Sequence, residues 1–340
     1  MTYVGMDVHQ KTSTLVMLDP ATGVTDKRRI ETTRGQLQEA LSRWERPWVV
    51  AIEAIRQTPA ATAWLREMGA QIHLAEPQKL DALAKLRIAK TDAKDAQLLL
   101  YALTHDLLPE CYLAPPQIME LRALSRGRDL LSKINTMLRN MGRTLLSQAG
   151  LQCLFTDLRG KGAQAGMPGL LAQLAPNARR MAEAYDTLLG VVQQLLAQVD
   201  AQIQREVAAD PIARALTALT GVGPVIALAL RAEIADIERF AAPKYLYGYA
   251  GVVPKVQQSD TFHQTGSVPR RCNKRLRYWA IQAAQCAANS RKDSPAKSSY
   301  ERVRNRCGPN PAKVAGARVI LKEVFGIWRR LQSASPSPGA

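Results

Sequence analysis

The sequence predicts an α/β N-terminal domain followed by a mainly α region, and three observations carry that expectation. Short strand-like and helix-like segments alternate through the first third of the chain. Trp48–Ala54 is a nearly continuous apolar run, the signature of a strand buried on both faces. Pro109 and the run Ala114-Pro115-Pro116 then break the pattern, and beyond them apolar residues recur at helical spacing over long stretches.

Taken in order, Tyr3–Val8 and Thr12–Leu18 read as strands joined by a short turn, with a third strand near Lys27–Thr32. Arg34–Glu45 reads as a helix, Trp48–Ala54 as the buried strand, Pro59–Met68 as a helix and Gln71–Ala75 as a short strand. Helices follow at Gln78–Leu86 and Asp92–Leu107. This order fits a ribonuclease-H-like domain over residues 1–110. Residues 111–208 are expected to be a helical, coiled-coil region. Gln117–Gln148 is one helix, and Ala178–Val207 another with near-heptad spacing from Met181, Tyr185, Leu188, Val192, Leu195, Val199 and Ile203. That stripe suits an arm of an antiparallel hairpin, a dimer seam, or burial within one chain. Gly150–Gly169, with its several glycines, reads as a turn or loop. Residues 209–332 are expected to run helix, Gly-rich turn, helix, a loop-rich basic segment and further helix, and 333–340 to be a disordered tail.

The chain has 340 residues and a net charge of +17, which favours a polyanionic partner. The excess is uneven. Lys244 to Arg330 holds 18 Lys or Arg against four acids, or +14 of the total. The five cysteines show no CxxC pair and the four histidines are dispersed, so neither a zinc site nor a disulfide framework is expected, which suits a reducing cytoplasm. No apolar run is long enough to span a membrane and no signal peptide is evident, so the chain is expected to be cytoplasmic.

Four carboxylates stand where the expected fold could gather them. Asp7 lies in the first strand, Glu53 ends the apolar strand, and Asp92 and Asp95 lie three residues apart at a helix start, on one face. A lone Asp at a helix start is ordinarily a cap. A Glu ending an apolar strand is costly without partners. Acids gathered in this way repel unless cations neutralise them. Oxygen ligands suit Mg²⁺, and two such ions can support phosphoryl transfer.

Leu219-Thr220-Gly221-Val222-Gly223-Pro224 lies between two apolar helical runs. Gly221 and Gly223 permit a tight turn and close approach to a phosphate, as in a helix-hairpin-helix; a plain helix–helix turn is the alternative. Downstream, Arg270, Arg271, Lys274, Arg275 and Arg277 fall within one short run and could clamp phosphates of DNA or RNA. Ser259 sits in a polar loop and, on composition alone, is a surface serine.

The Gly5-Met6-Asp7 strand, the Ile52-Glu53-Ala54 strand end and Lys90-Thr91-Asp92-Ala93-Lys94-Asp95-Ala96 resemble the DEDD transposases of the insertion-sequence-110 family, which includes Piv-type DNA invertases and RNA-guided bridge recombinases. The Gly221-Val222-Gly223-Pro224 turn, the run from Tyr249 to Pro254, and Asn273-Lys274-Arg275-Leu276-Arg277 resemble that family's C-terminal domain. The likeness covers residues 3 to 331. It implies a RuvC-like domain in which Asp7, Glu53, Asp92 and Asp95 bind Mg²⁺. It also implies a C-terminal serine that attacks DNA and forms a phosphoserine link. By position that serine is Ser259, with Ser267 the nearest alternative. The resemblance further implies a structured non-coding guide RNA, nucleic-acid contacts that include Asn273, and composite sites in a homo-oligomer, a dimer of dimers. The sequence departs from the family pattern in Ala54 after Glu53, Asp260 after Ser259, and Cys272 where glycine is usual. The rival readings are a junction-resolving nuclease that activates water and a non-catalytic nucleic-acid-binding protein.

Overall fold

The computed structural model describes residues 1–55, 58–84, 92–253, 256–259, 262–265 and 268–334. The chain divides into two compact units, the first Met1–Ala114 and the second beginning at Pro115.

The first unit is built on a five-stranded mixed sheet of β1 (Thr2–Val8), β2 (Thr12–Leu18), β3 (Thr25–Glu31), β4 (Trp48–Glu53) and β5 (Gln71–Ala75), in the order β3-β2-β1-β4-β5. β1 runs antiparallel to β2 and parallel to β4, and β5 extends the sheet parallel to β4. β1, β2 and β4 are buried almost throughout. β3 alternates exposed and half-buried residues, and its charged Asp26, Lys27, Arg28 and Arg29 blunt an open edge.

One sheet face, carrying Val4, Met6, Leu15, Met17, Val50 and Ile52, is covered by α1 (Arg34–Ser42) and α2 (Thr58–Glu67) through Leu37, Leu41, Ala61 and Leu65. The other, carrying Val16, Ala51 and Ala75, is covered by α3 (Pro77–Ala84) and α4 (Asp92–Thr104) through Leu80, Ala96, Leu98, Leu99 and Leu100. The strand and helix order expected for residues 1–110 is present, with boundaries shifted by a few residues.

The second unit opens with α5 (Pro116–Gln148) and α7 (Pro176–Ala209). They pack antiparallel: Arg128 pairs with Asp200, Leu138 meets Leu189 and Val192, and Leu146 meets Ala182. Of the near-heptad stripe of α7, Tyr185, Val192, Val199 and Ile203 pack within the chain, whereas Met181, Leu188 and Leu195 are exposed. The segment expected to be a loop over 150–169 contains α6 (Lys161–Leu171) instead. Met167, Leu170 and Leu171 pack at the hairpin end against Leu146 and Leu174, and this burial outweighs the low helix propensity of the glycines. The Phe155 ring packs directly over Gly166, where a Cβ would lie 2.5 Å from the ring tip and displace it.

The remainder is α8 (Pro211–Leu216), α9 (Pro224–Ile234), α10 (Pro243–Ala250), the antiparallel hairpin β6 (Val256–Ser259) and β7 (Phe262–Thr265), α11 (Lys274–Ala288), α12 (Pro295–Cys307) and α13 (Pro309–Ala334). The hairpin replaces part of the expected loop. Its strands are short and polar, without the alternation that marks a half-buried strand in sequence. α9, α11 and α13 share one core, built on Leu230, Ile234, Trp279, Ala283, Ile320, Leu321 and the fully buried Trp328. No helix among the described residues is long and apolar enough to cross a membrane.

Candidate active site and nucleic-acid interface

In the first unit the placement of the carboxylates follows from strand register. β1 and β4 are paired from Thr2–Trp48 up to Met6–Ile52, so Asp7 and Glu53 are the next residues in line. Parallel neighbours at one level project to the same side, and Asp7 shares that side with Gly5, two residues earlier. Helix α4 lies on this side. A Cβ on Gly5 would sit 2.1 Å from the carbonyl oxygen of Ala96 and 2.6 Å from the amide of Leu100. Glycine is thus the residue that lets α4 touch the sheet, and the turn before Ala96 carries Asp92 and Asp95.

Asp7 is 5% exposed, whereas Glu53 and Asp95 are half-buried. Burial of Asp7 in an otherwise apolar strand demands a counter-charge. One partner is His9, whose Nε2 lies 3.1 Å from the Asp7 carboxylate. Sequence reading passed over His9 as a dispersed histidine; the signal was its spacing of two from Asp7 at a strand end. The backbone beyond Glu53 is fixed by buried Thr58, whose hydroxyl donates to the Glu53 carbonyl at 2.6 Å and accepts from the Ile55 amide at 2.9 Å. The side chain of Asp92 lies outside the described residues. Among the described residues, no three His, Cys, Asp or Glu side chains form a group able to hold a metal. Asp7, Glu53, Asp92 and Asp95 offer carboxylate oxygens, the donor type that suits a hard divalent cation.

In the second unit the two turn glycines differ. Gly221 has φ of 88°, and a Cβ would meet the Ala283 carbonyl at 2.3 Å and the Ala287 amide at 2.6 Å. The small alanines of α11 and Gly221 together allow this close approach. Gly223 faces open space and caps α9 without a side-chain hydrogen bond, leaving first-turn amides of α9 unsatisfied by a cap. The turn lines an open groove of about 600 Å³ whose other wall includes Cys286, Ser290 and Lys292.

The basic run divides between surface and interior. Arg270, Arg271 and Lys274 are exposed and make no ion pair among the described residues. Arg275 is exposed and reaches Asp129 at 3.4 Å. Arg277 turns inward, donating to the carbonyls of Ala250 and Pro269 and to the Cys272 sulfur. Asn273 also turns inward. Its carbonyl oxygen caps α11 by accepting from the Arg275 and Leu276 amides, and its amide donates to Glu233 and to the Tyr249 hydroxyl, both at 3.1 Å. Glu233, 3% exposed, also takes a two-pronged bond from Arg126 at 3.0 and 3.2 Å. Burial beside this cluster holds the Arg122 guanidinium below its ordinary value, opposed by the charge of Glu233. Composition could not show these interior roles, because it counts charges without their depth. Ser259 ends β6, opposite Phe262; its side chain, like all of Ser267, lies outside the described residues.

Two family models match this chain. A DEDD-type IS110 transposase model, described as "Transposase", covers residues 4–150. One described as "Transposase IS116/IS110/IS902 family" covers residues 213–301. The chain belongs to the IS110 family of transposases and is an enzyme of DNA transposition. Among relatives, it is 26% identical over 294 residues to a probable family 20 transposase of Pseudomonas aeruginosa, covering 84% of each chain. It is 26% identical over 283 residues to the transposase for element IS1111A of Coxiella burnetii, covering 80% of this chain and 76% of the relative. With the transposase for element IS1328 of Yersinia enterocolitica it shares 22% identity over 247 residues, or 70% of each chain.

Proposed function

We propose that this transposase cuts and rejoins DNA through a phosphoserine intermediate, at sites chosen by a structured non-coding RNA. The observation that best supports the reading is the register of β1 and β4, which puts Asp7 and Glu53 side by side on the α4 face of a RuvC-like domain. Asp7, Glu53, Asp92 and Asp95 hold divalent metal, Mg²⁺ with two ions per site. Bound there, the metal supplies Lewis-acid activation of the scissile phosphate and neutralises charge on attacking and leaving oxygens.

The chain's own residues do the rest. The Ser259 hydroxyl oxygen forms a bond to phosphorus while the bond from phosphorus to the leaving deoxyribose oxygen breaks, and the serine proton passes to that leaving oxygen. One phosphodiester is exchanged for another, so rejoining by the reverse step needs no ATP. His9 orients the Asp7 carboxylate. A helix-hairpin-helix whose outward glycine is Gly223 holds DNA backbone, aided by Arg270, Arg271, Lys274 and Arg275 on phosphates of DNA or guide RNA. Gly221, Asn273 and Arg277 serve this surface from beneath, by packing. The protein works as a homo-oligomer, a dimer of dimers.

Covalent trapping tests this. Protein purified with the RNA encoded beside its gene is given labelled element-end DNA and Mg²⁺, then denatured. A labelled band that migrates with protein, and is lost in Ser259→Ala and in Asp7→Ala, is the expected result. Cleaved DNA without an adduct would point to a water-activating nuclease instead. Retention of the adduct in Ser259→Ala and its loss in Ser267→Ala would move the nucleophile to Ser267.

A further inference from the structure

A second groove, of about 540 Å³, runs along the outward face of α5 and is closed on one side by Tyr278 of α11. Its floor carries Ser132, Thr136, Asn140 and Thr144, a polar residue at every fourth position. Between them stand Met137 and Met141, 52% and 39% exposed, and Tyr278 opposite is 46% exposed. Lys133 and Arg275 lie at one end, where each contacts the buried Asp129 carboxylate, at 2.9 and 3.4 Å. One acid against two cations leaves that end positive, and the exposed Lys274 stands next to Arg275 in sequence.

We propose that this groove takes a single strand of nucleic acid, with a base stacked on Tyr278. The inference rests on the nucleic-acid function proposed above and adds a site to it. Exposed aromatic and thioether side chains offer the flat apolar contact that bases seek once out of a duplex. Hydroxyl and amide groups at helical intervals suit sugar edges, and the cations at the end suit phosphate. From Ser132 to Thr144 the helix rises about 18 Å, which spans about five stacked nucleotides at ~3.4 Å each.

The test is binding of labelled oligonucleotides of about ten residues, ribo- and deoxyribo-, single-stranded and duplex, at fixed salt. Tyr278→Ala should weaken single-strand binding by about 5- to 150-fold, the value of one stacked base. Thr136→Glu should weaken it also, by placing an anion on the floor, while Tyr278→Phe, which keeps the ring, should bind as wild type. Duplex binding should be unchanged in all three. Both altered residues are on the surface, so unchanged thermal melting confirms that the variants are folded. The tighter of the ribo- and deoxyribo- arms identifies the strand. Wild-type binding with both Tyr278→Ala and Thr136→Glu unaffected would overturn the groove alone. A wild-type protein that binds no nucleic acid would overturn the parent reading with it. A lower oligomer mass in Thr136→Glu with strand binding intact would assign the groove to a second copy of this chain and overturn the inference.

Discussion

Replacing Gly5 by alanine is a sharp test of how α4 is seated. In a strand, alanine is ordinarily no worse than glycine, so a site with room would be neutral or slightly stabilised. Here the new methyl would stand 2.1 Å from the Ala96 carbonyl oxygen, 2.6 Å from the Leu100 amide and 2.9 Å from the Leu100 Cβ. Two of these atoms are backbone, so no rotamer change relieves them. Restoring ordinary contact requires α4 to retreat by about 1 Å, and a gap of that size forfeits up to half of each dispersion contact it opens. With the usual cost of overpacking, the loss should be about 3 kcal/mol, or a fall of about 10 °C or more in the melting temperature of a unit this size. The same retreat carries the start of α4, with Asp92 and Asp95, away from Asp7. A displacement of about 1 Å in a reacting constellation can cost on the order of 100-fold in rate. Thermal melting and Mg²⁺-dependent cleavage of element-end DNA read the two effects separately. A Gly5→Ala variant with wild-type melting and wild-type cleavage would refute the seating of α4 on β1.

Three further outcomes follow from named contacts. Gly221→Ala should destabilise the second unit by about 2–4 kcal/mol through its positive φ and its clash with α11, whereas Gly223→Ala, facing open space, should cost under about 1 kcal/mol; denaturant unfolding of both checks this. His9→Ala should lower cleavage about 10-fold with melting unchanged, because His9 is half-exposed yet orients buried Asp7; equal single-turnover rates would count against that role. Burial raises the Glu323 carboxyl above its ordinary 4.5, so the folded chain keeps this proton to higher pH than the unfolded chain does, and stability falls as pH rises from 4.5 through the raised value. Glu323→Gln should therefore melt above wild type at neutral pH, with the difference closing below pH 4.5; a constant offset across that range would contradict the assignment.

The sheet was legible because its central strands must be apolar on both faces and its connections are punctuated by proline and glycine. The long helices were legible from their repeats. α6 was not, because three glycines within it mask a helix whose stability comes from Met167, Leu170 and Leu171 packing on the hairpin end. The β6–β7 hairpin was not, because Val256–Ser259 and Phe262–Thr265 carry too few apolar residues to show a period. For the candidate site, sequence alone singles out Asp7 and Glu53 as acids in apolar strands, and the register adds that they are neighbours. It could not show that His9 attends Asp7. Nor could it show that Asn273 and Arg277, counted with the surface polar and basic residues, are spent on internal hydrogen bonds, since burial depth is set by contacts distant in sequence.

The clamp of Arg126 and Asn273 on Glu233 has a mechanical meaning. It fastens α5, near its beginning, to α9 and to the start of α11, at the end of the hairpin where Arg128 also grips Asp200 of α7. The part of α5 beyond Arg126, about 33 Å of helix, projects past that fastening. A rod held at one end multiplies movement. A tilt of about 10° at the clamp would sweep the far tip, where α6 rides, through roughly 6 Å, about one helical turn. Small adjustments around one buried glutamate would therefore be geared into larger excursions at the hairpin tip.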